Sequence, residues 1–240
     1  MTKKARILLI VCFVSAVLLM GTAFYTQVHY HADQAALDAL VSDELVTVTE
    51  TDYGWFFDGP SDENAFIFYP GGKVEEDAYA PLLHALASQG LDVMLLNMPA
   101  RLAILNTDAA EDVLALYDYD HWYIGGHSLG GASAALYAAE NTDKYDGAIF
   151  LGSFSTKPLG DMRVLCVYGT EDGVLNMEEY EQSLANVSAN EEEFVIEGGN
   201  HAQFGSYGAQ NGDGKASISA QEQVEITVSV IIPFVQEGQQ

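Results

Sequence analysis

From residue 65 onward the chain alternates short apolar runs with stretches in which apolar residues recur at helical spacing. The runs are Ala65–Tyr69, Leu91–Met98, Trp122–Gly125, Ala148–Leu151, Val164–Tyr168 and Glu193–Ile196. Each is short and bounded by turn residues, the pattern of strands buried on both faces. Between them, residues 75–89, 107–117, 129–140 and 177–187 read as helices, with a last one at 220–235. Ser219 and Glu222 open that last helix as a capping box. Buried strands alternating with helices predict an α/β fold, a mostly parallel, doubly wound sheet. Upstream, Leu45–Glu50 alternates apolar residues with polar ones and Tyr53–Phe57 is aromatic, which predicts an antiparallel hairpin at a sheet edge. Residues 26–44 are polar with a short Ala/Leu pattern and read as a stalk, leaving 45–236 as one domain.

The N-terminus departs from this rhythm. Ile7 to Tyr25 is a run of 19 residues without a charge. As a helix it spans about 28 Å, close to the thickness of a bilayer's hydrocarbon core. Lys3, Lys4 and Arg6 precede it, and such a basic flank stays on the cytoplasmic side. The expectation is therefore a signal-anchor helix over residues 1–25, with the domain on the extracellular side. A cleaved signal peptide is the alternative, with Gly21-Thr22-Ala23 as its small-x-small site.

Charge removes some functions from consideration. Nine Lys and Arg stand against 35 Asp and Glu, a net charge of −26. Beyond residue 25 there are six basic residues and all 35 acids, a net −29. Such a surface repels polyanions, so no nucleic-acid partner is expected. Cys12 lies in the apolar N-terminal run and Cys166 in a core strand, so no disulfide is implied. Metal-ligand spacings such as C-x-x-C or H-E-x-x-H are absent; neither a metal nor an organic cofactor is expected.

The strand ending at Gly125 runs into Gly126-His127-Ser128-Leu129-Gly130-Gly131, and a small-residue helix follows. This is G-x-S-x-G between a strand and a helix, a turn so tight that side chains two residues either side of the serine would collide with its neighbours. Ser128 is thereby the candidate nucleophile, and the Leu129 N–H, at the start of a helix, a candidate oxyanion donor. A serine nucleophile needs a base and an acid, which in this arrangement follow it in the order acid, then histidine. Of the six histidines only His201 follows Ser128, in the glycine loop after Phe194-Val195-Ile196. Asp172 sits directly past the run Val164–Tyr168 and is the candidate acid, with Glu171 in reserve. A second oxyanion donor belongs in Tyr69-Pro70-Gly71-Gly72-Lys73-Val74, from the N–H of Gly72 or Lys73.

GGHSLGG, YGTEDGV, GGNHAQFG and YPGGKV together resemble the α/β-hydrolase superfamily, nearest its small dienelactone-hydrolase-like members and a bacterial membrane-anchored group. The resemblance covers about residues 45 to 236 and implies an α/β-hydrolase fold carrying Ser128, Asp172 and His201 as a triad. Dienelactone hydrolases proper use a cysteine nucleophile where this chain has a serine. The link from Ser153 to Asp161 is too short for a helical cap, so the site should be open.

The function this implies is hydrolysis of a small-molecule carboxylic ester through an acyl-enzyme. Acyl transfer to an alcohol on the same triad is the alternative, and a non-catalytic extracellular binding domain the third. Phe204 and Tyr207 are expected to wall the site. Arg101, past Leu91–Met98, is expected near it, either receiving an anionic group of the substrate or paired with a nearby carboxylate. Asn211-Gly212-Asp213-Gly214 reads as a turn-rich loop rather than a calcium loop.

Overall fold

The structure is a computed structural model and describes residues 2–187 and 191–238. The side chains of residues 22–27, and with them most of the Gly21-Thr22-Ala23 cleavage candidate, lie outside the described residues. Eight strands form one sheet: β1 (Thr47–Thr51), β2 (Gly54–Asp58), β3 (Asn64–Tyr69), β4 (Asp92–Leu96), β5 (His121–His127), β6 (Gly147–Leu151), β7 (Arg163–Gly169) and β8 (Glu191–Ile196). Their order is β1-β2-β4-β3-β5-β6-β7-β8. β1 and β2 pair antiparallel as a hairpin and β2 lies antiparallel to β4; every later pairing is parallel. The edge hairpin and the buried parallel core both follow the sequence pattern.

Alternation along the strands divides the core in two. Phe66 and Phe68 of β3, Val93 and Leu95 of β4 and Leu165 and Val167 of β7 face α3 (Ala80–Ala87) and α7 (Ala220–Glu237). On that side Leu82, Leu83 and Leu86 meet Ile231, Phe234 and Val235. Ala65, Ile67 and Tyr69, Met94 and Leu96, and Val164 and Cys166 face the other way, against Ala110 and Val113 of α4 (Ala110–Leu114) and Ala134, Ala135 and Ala138 of α5 (Leu129–Ala138). Tyr180 of α6 (Met177–Ser183) completes that layer. Each fully buried Phe or Leu stabilises the fold by about 1.5–3 kcal/mol. Ser219 caps α7 by accepting from the Glu222 N–H at 3.1 Å. The edge strand β8 is kept from pairing further by Glu191, Glu192 and Glu193, of which Glu192 takes Arg163 at 2.9 Å and Glu193 the Tyr180 hydroxyl at 2.7 Å.

Ahead of the domain, α1 (Lys3–Gln27) includes Lys3–Gly21, a stretch long and apolar enough to cross a membrane and with none of its side chains packed on the domain. The segment read as a stalk makes defined contacts. Tyr30 bridges to Val74, with its N–H on the Lys73 carbonyl at 2.8 Å and its carbonyl accepting from Glu75 at 2.9 Å. α2 (Gln34–Asp38), capped by Asp33, follows, and Ala36 is buried.

One buried acid makes stability pH-dependent. Asp92 lies at the start of β4, accepting from the Gly59 N–H at 2.7 Å and the Tyr119 hydroxyl at 2.6 Å. Burial outweighs those bonds and pushes its carboxyl up to about 6 from an ordinary 3.8. The folded state therefore favours the protonated acid, and ionisation on raising the pH through about 4 to 6 works against folding. Wild type should lose about 2–3 kcal/mol relative to Asp92→Asn as the pH rises from 4 to 7. Urea denaturation of both proteins across that range measures the difference; a constant gap would place the titration elsewhere.

Candidate active site

The carboxyl edge of the sheet gathers the residues singled out above. β5 ends in His127, Ser128 turns the chain, and α5 starts at Leu129. Ser128 has φ 53° and ψ −125°, a left-handed geometry that a non-glycine residue adopts only when its surroundings enforce it. They do so by close packing: a Cβ on Gly126 or on Gly130 would run into the Tyr69 carbonyl oxygen. The Ser128 N–H bonds to the Leu151 carbonyl at 3.0 Å, and its own carbonyl accepts the Ser153 hydroxyl at 2.7 Å.

His201 and Asp172 form a buried pair, each side chain 1 % exposed, with Nδ1 of the imidazole 2.8 Å from Oδ2 of the carboxylate. The second oxygen, Oδ1, accepts from Val174 at 2.9 Å and Leu175 at 2.8 Å, so the carboxylate is fully engaged. An ionised Asp172 fixes the proton on Nδ1 and leaves the lone pair on Nε2. That Nε2 is buried and has no hydrogen-bond partner among the described residues. Gly152 connects this pair to the serine: it follows Leu151, which holds the Ser128 N–H, and a side chain on it would strike the His201 ring and the Asp172 carboxylate. Glu171, the reserve acid, is exposed, and the carboxylate on His201 is that of Asp172.

The loop after β3 supplies donors selectively. The Gly71 N–H goes to the Tyr79 hydroxyl at 2.9 Å and the Lys73 N–H to the Arg101 carbonyl at 2.8 Å. The expectation that Lys73 donates to an oxyanion is corrected on that ground, because its single N–H is already bonded. Gly72 keeps a free N–H among the described residues and stands against Leu129, whose side chain would touch a Cβ placed there. Tyr79 also bonds His127 Nδ1 at 2.9 Å, and the His127 ring lies 4.4 Å from that of His201. Burial first, and then the charge His201 can carry, hold His127 well below the usual histidine range, so it stays neutral beside the pair.

Two residues expected to wall the site fall elsewhere. Phe204 is 1 % exposed, its ring centroid 5.6 Å from that of His127, and so it packs inside the core instead of walling an opening. Tyr207 is also buried, against Tyr30. Arg101 has its guanidinium 3.6 Å from Glu75, the local pairing that an acid-rich chain makes available. From Gly152 to Met162 no helix covers the site.

A residue with a larger part than its sequence indicated is Asp213. Oδ1 accepts from Gly173 at 3.0 Å and His201 at 3.3 Å, and Oδ2 from Ala202 at 2.8 Å. One carboxylate thus ties the acid loop to the histidine loop. Gln223 of α7 holds the same loop from behind, bonding both the N–H and the carbonyl of Asn200. The only sequence signal was an acid between two glycines, which a turn explains equally well.

A parallel sheet covered on both faces, with a serine at a strained strand-to-helix turn and a His–Asp pair on the next loops, defines the α/β-hydrolase class. The chain belongs to the alpha/beta hydrolase family, whose model matches residues 65–225. Its fold is similar to that of TT1662 from Thermus thermophilus (12 % identity, TM-score 0.58, covering 79 % of this chain and 98 % of the other). It is similar also to Est1E from Butyrivibrio proteoclasticus (16 %, TM-score 0.57, 81 % and 99 %) and a dienelactone hydrolase from Anabaena variabilis (13 %, TM-score 0.56, 78 % and 95 %). No curated protein matches it by sequence.

Replacing one oxygen of Asp213 with an amide sets an N–H donor against the Ala202 N–H. Asp213→Asn should lower stability by about 1–3 kcal/mol and speed hydrogen exchange at His201 and Ala202. Unchanged stability and exchange would show that the loops hold without it.

Proposed function

We propose that this protein is a serine esterase, hydrolysing a carboxylic ester through an acyl-enzyme on the outer side of a membrane. Family membership supports hydrolase activity in general. What carries the finer reading is the buried Asp172–His201 pair, with its unpartnered Nε2, on the loops around Ser128. In the reaction the Ser128 Oγ attacks the ester carbonyl while His201 Nε2 takes its proton. The imidazolium so formed is stabilised by Asp172, then protonates the leaving alcohol. Negative charge on the former carbonyl oxygen is received by the N–H groups of Leu129 and Gly72, the first backed by the α5 dipole. Water, activated by the same imidazole, releases the acid. His127, held neutral, adds no second positive charge next to the imidazolium. The absence of a helix between β6 and β7 supports a substrate that reaches Ser128 without a lid opening.

A fluorophosphonate probe should label the wild type and leave Ser128→Ala unlabelled. With p-nitrophenyl esters, Asp172→Asn should reduce kcat by about 10³–10⁴-fold, and Glu171→Gln less than threefold. A crippled Glu171→Gln beside a mild Asp172→Asn would transfer the acid role to Glu171; labelling that survives in Ser128→Ala would end the serine mechanism.

The membrane part rests on the apolar stretch of α1 and its basic flank. The full chain should sediment with membranes and be cleaved by protease added outside intact cells. Deleting residues 1–25 retains Tyr30 and α2 on the domain and should yield a soluble, active protein. Full-length protein found in the soluble cytosolic fraction would refute the topology.

A further inference from the structure

The segment following α1 does more than lead into the domain. Its backbone is extended at Tyr30, which bridges in parallel to Val74. In an extended chain alternate side chains project to one side, so His29 and His31 project together, ring centroids 4.2 Å apart. Glu75, next to the bridge partner, is delivered between them: its Oε1 lies 3.0 Å from His29 Nε2 and 2.9 Å from His31 Nδ1. Its Oε2 accepts the Ala32 N–H at 2.9 Å, which fixes the carboxylate's direction. The three donor atoms lie within 4.8 Å of one another.

We propose that His29, His31 and Glu75 bind one divalent transition-metal ion, Zn2+ foremost, which fastens the segment after the N-terminal helix to the loop that follows β3. Zn–N and Zn–O bonds near 2.0–2.1 Å in a tetrahedron separate donor atoms by about 3.3 Å. The two histidine–carboxylate distances differ from that by a few tenths of an ångström, and the two imidazole nitrogens, within 4.8 Å of each other, draw together around the ion as hydrogen bonds give way to coordination bonds. Imidazole pairs with one carboxylate suit zinc, copper and nickel ions, whereas calcium and magnesium take oxygen-only sets. His29 is nearly covered, its side chain 7 % exposed, whereas that of His31 is 69 % exposed, so water reaches the remaining coordination position. The Glu75 oxygen bonded to Ala32 acts as the outer support that metal-binding carboxylates use. Arg101, 3.6 Å from Oε1 and beyond hydrogen-bond reach, is a charge the ion competes with; the domain's net −29 works in the ion's favour.

The same loop carries Gly72, so the ion also steadies the backbone that stands opposite Leu129. Binding itself involves neither Ser128 nor His201, and its test does not depend on the esterase reading.

The full chain in detergent micelles, stripped with EDTA, is titrated with ZnCl2 by calorimetry and with CoCl2 by visible absorption. The buffer holds 0.15 M NaCl and excess MgCl2, which occupies scattered carboxylates. One Zn2+ per chain is expected, with a Co2+ spectrum of nitrogen and oxygen ligation. His31→Ala, at an exposed position that folding tolerates, should weaken binding by at least about tenfold, and His29→Ala/His31→Ala should abolish it. At a hundredfold excess over the wild-type Kd, Zn2+ should raise the wild-type Tm by about 5–10 °C, that of His31→Ala by no more than about half as much, and that of His29→Ala/His31→Ala not at all. His121→Ala, a histidine beside Asp146 outside the cluster, should bind as wild type does. Absence of stoichiometric binding, equal affinity of wild type and His31→Ala, or loss of binding in His121→Ala would each overturn the site.

Discussion

The approach of the β5 turn to the end of β3 is the contact on which the rest of the site depends. Gly126 and Gly130 both press against the Tyr69 carbonyl oxygen, at a separation no side chain permits. Three consequences follow from that one contact. Ser128 is held in a left-handed conformation at the sheet's edge; α5 starts immediately behind it; and the chain leaving Tyr69 has to pass in front of Leu129. Gly72 and the side chain of Leu129, from distant parts of the sequence, thereby become neighbours. The strain at Ser128 costs on the order of 1–3 kcal/mol, and the buried strands on either side supply the rigidity that maintains it.

The loops around this turn have no ladder of their own, so side chains must satisfy their buried amides. Asp213 does this for Gly173, His201 and Ala202, Gln223 for Asn200, Asp172 for Val174 and Leu175, and Tyr79 for Gly71. Asp213 and Gln223 thereby join segments far apart in the chain, whereas Asp172 and Tyr79 satisfy amides of their own neighbourhood. The position of the His201 imidazole is thus set by an acid on one side and a helix on the other. His127 is fixed in the same way by Tyr79, and burial keeps it uncharged.

Charge is distributed with the same economy. Of the six basic residues beyond the first helix, Arg101 meets Glu75, Lys144 lies 3.8 Å from Glu111, and Arg163 joins Glu192 and Glu237. Such pairs on an acid-rich surface relieve local repulsion more than they add stability. They also explain why a lone arginine at a strand end was a weak pointer to substrate. The acids outnumber the bases so heavily that a partner is nearly always within reach.

By itself, the sequence determined whatever depends on neighbours in the chain. The rhythm of apolar runs and helical stretches specified the parallel sheet and its antiparallel edge hairpin, because burial on both faces leaves no other periodicity. GGHSLGG specified the turn, because glycine alone fits there; the single histidine after Ser128 and the acid past β7 specified the pair. The α1 stretch was legible for the same reason, as an unbroken run without charge. Tertiary structure decided everything that requires knowing what stands opposite. Phe204 turned inward since its loop folds under His127, and Lys73 lost its N–H to the Arg101 carbonyl. Asp213 became a tie between two loops, and Glu75 came to lie between His29 and His31 across 44 or more residues. A hydrogen-bond donor or a carboxylate has no preference that its own segment records; only the fold assigns it a partner, since only the fold determines which groups lose their water together.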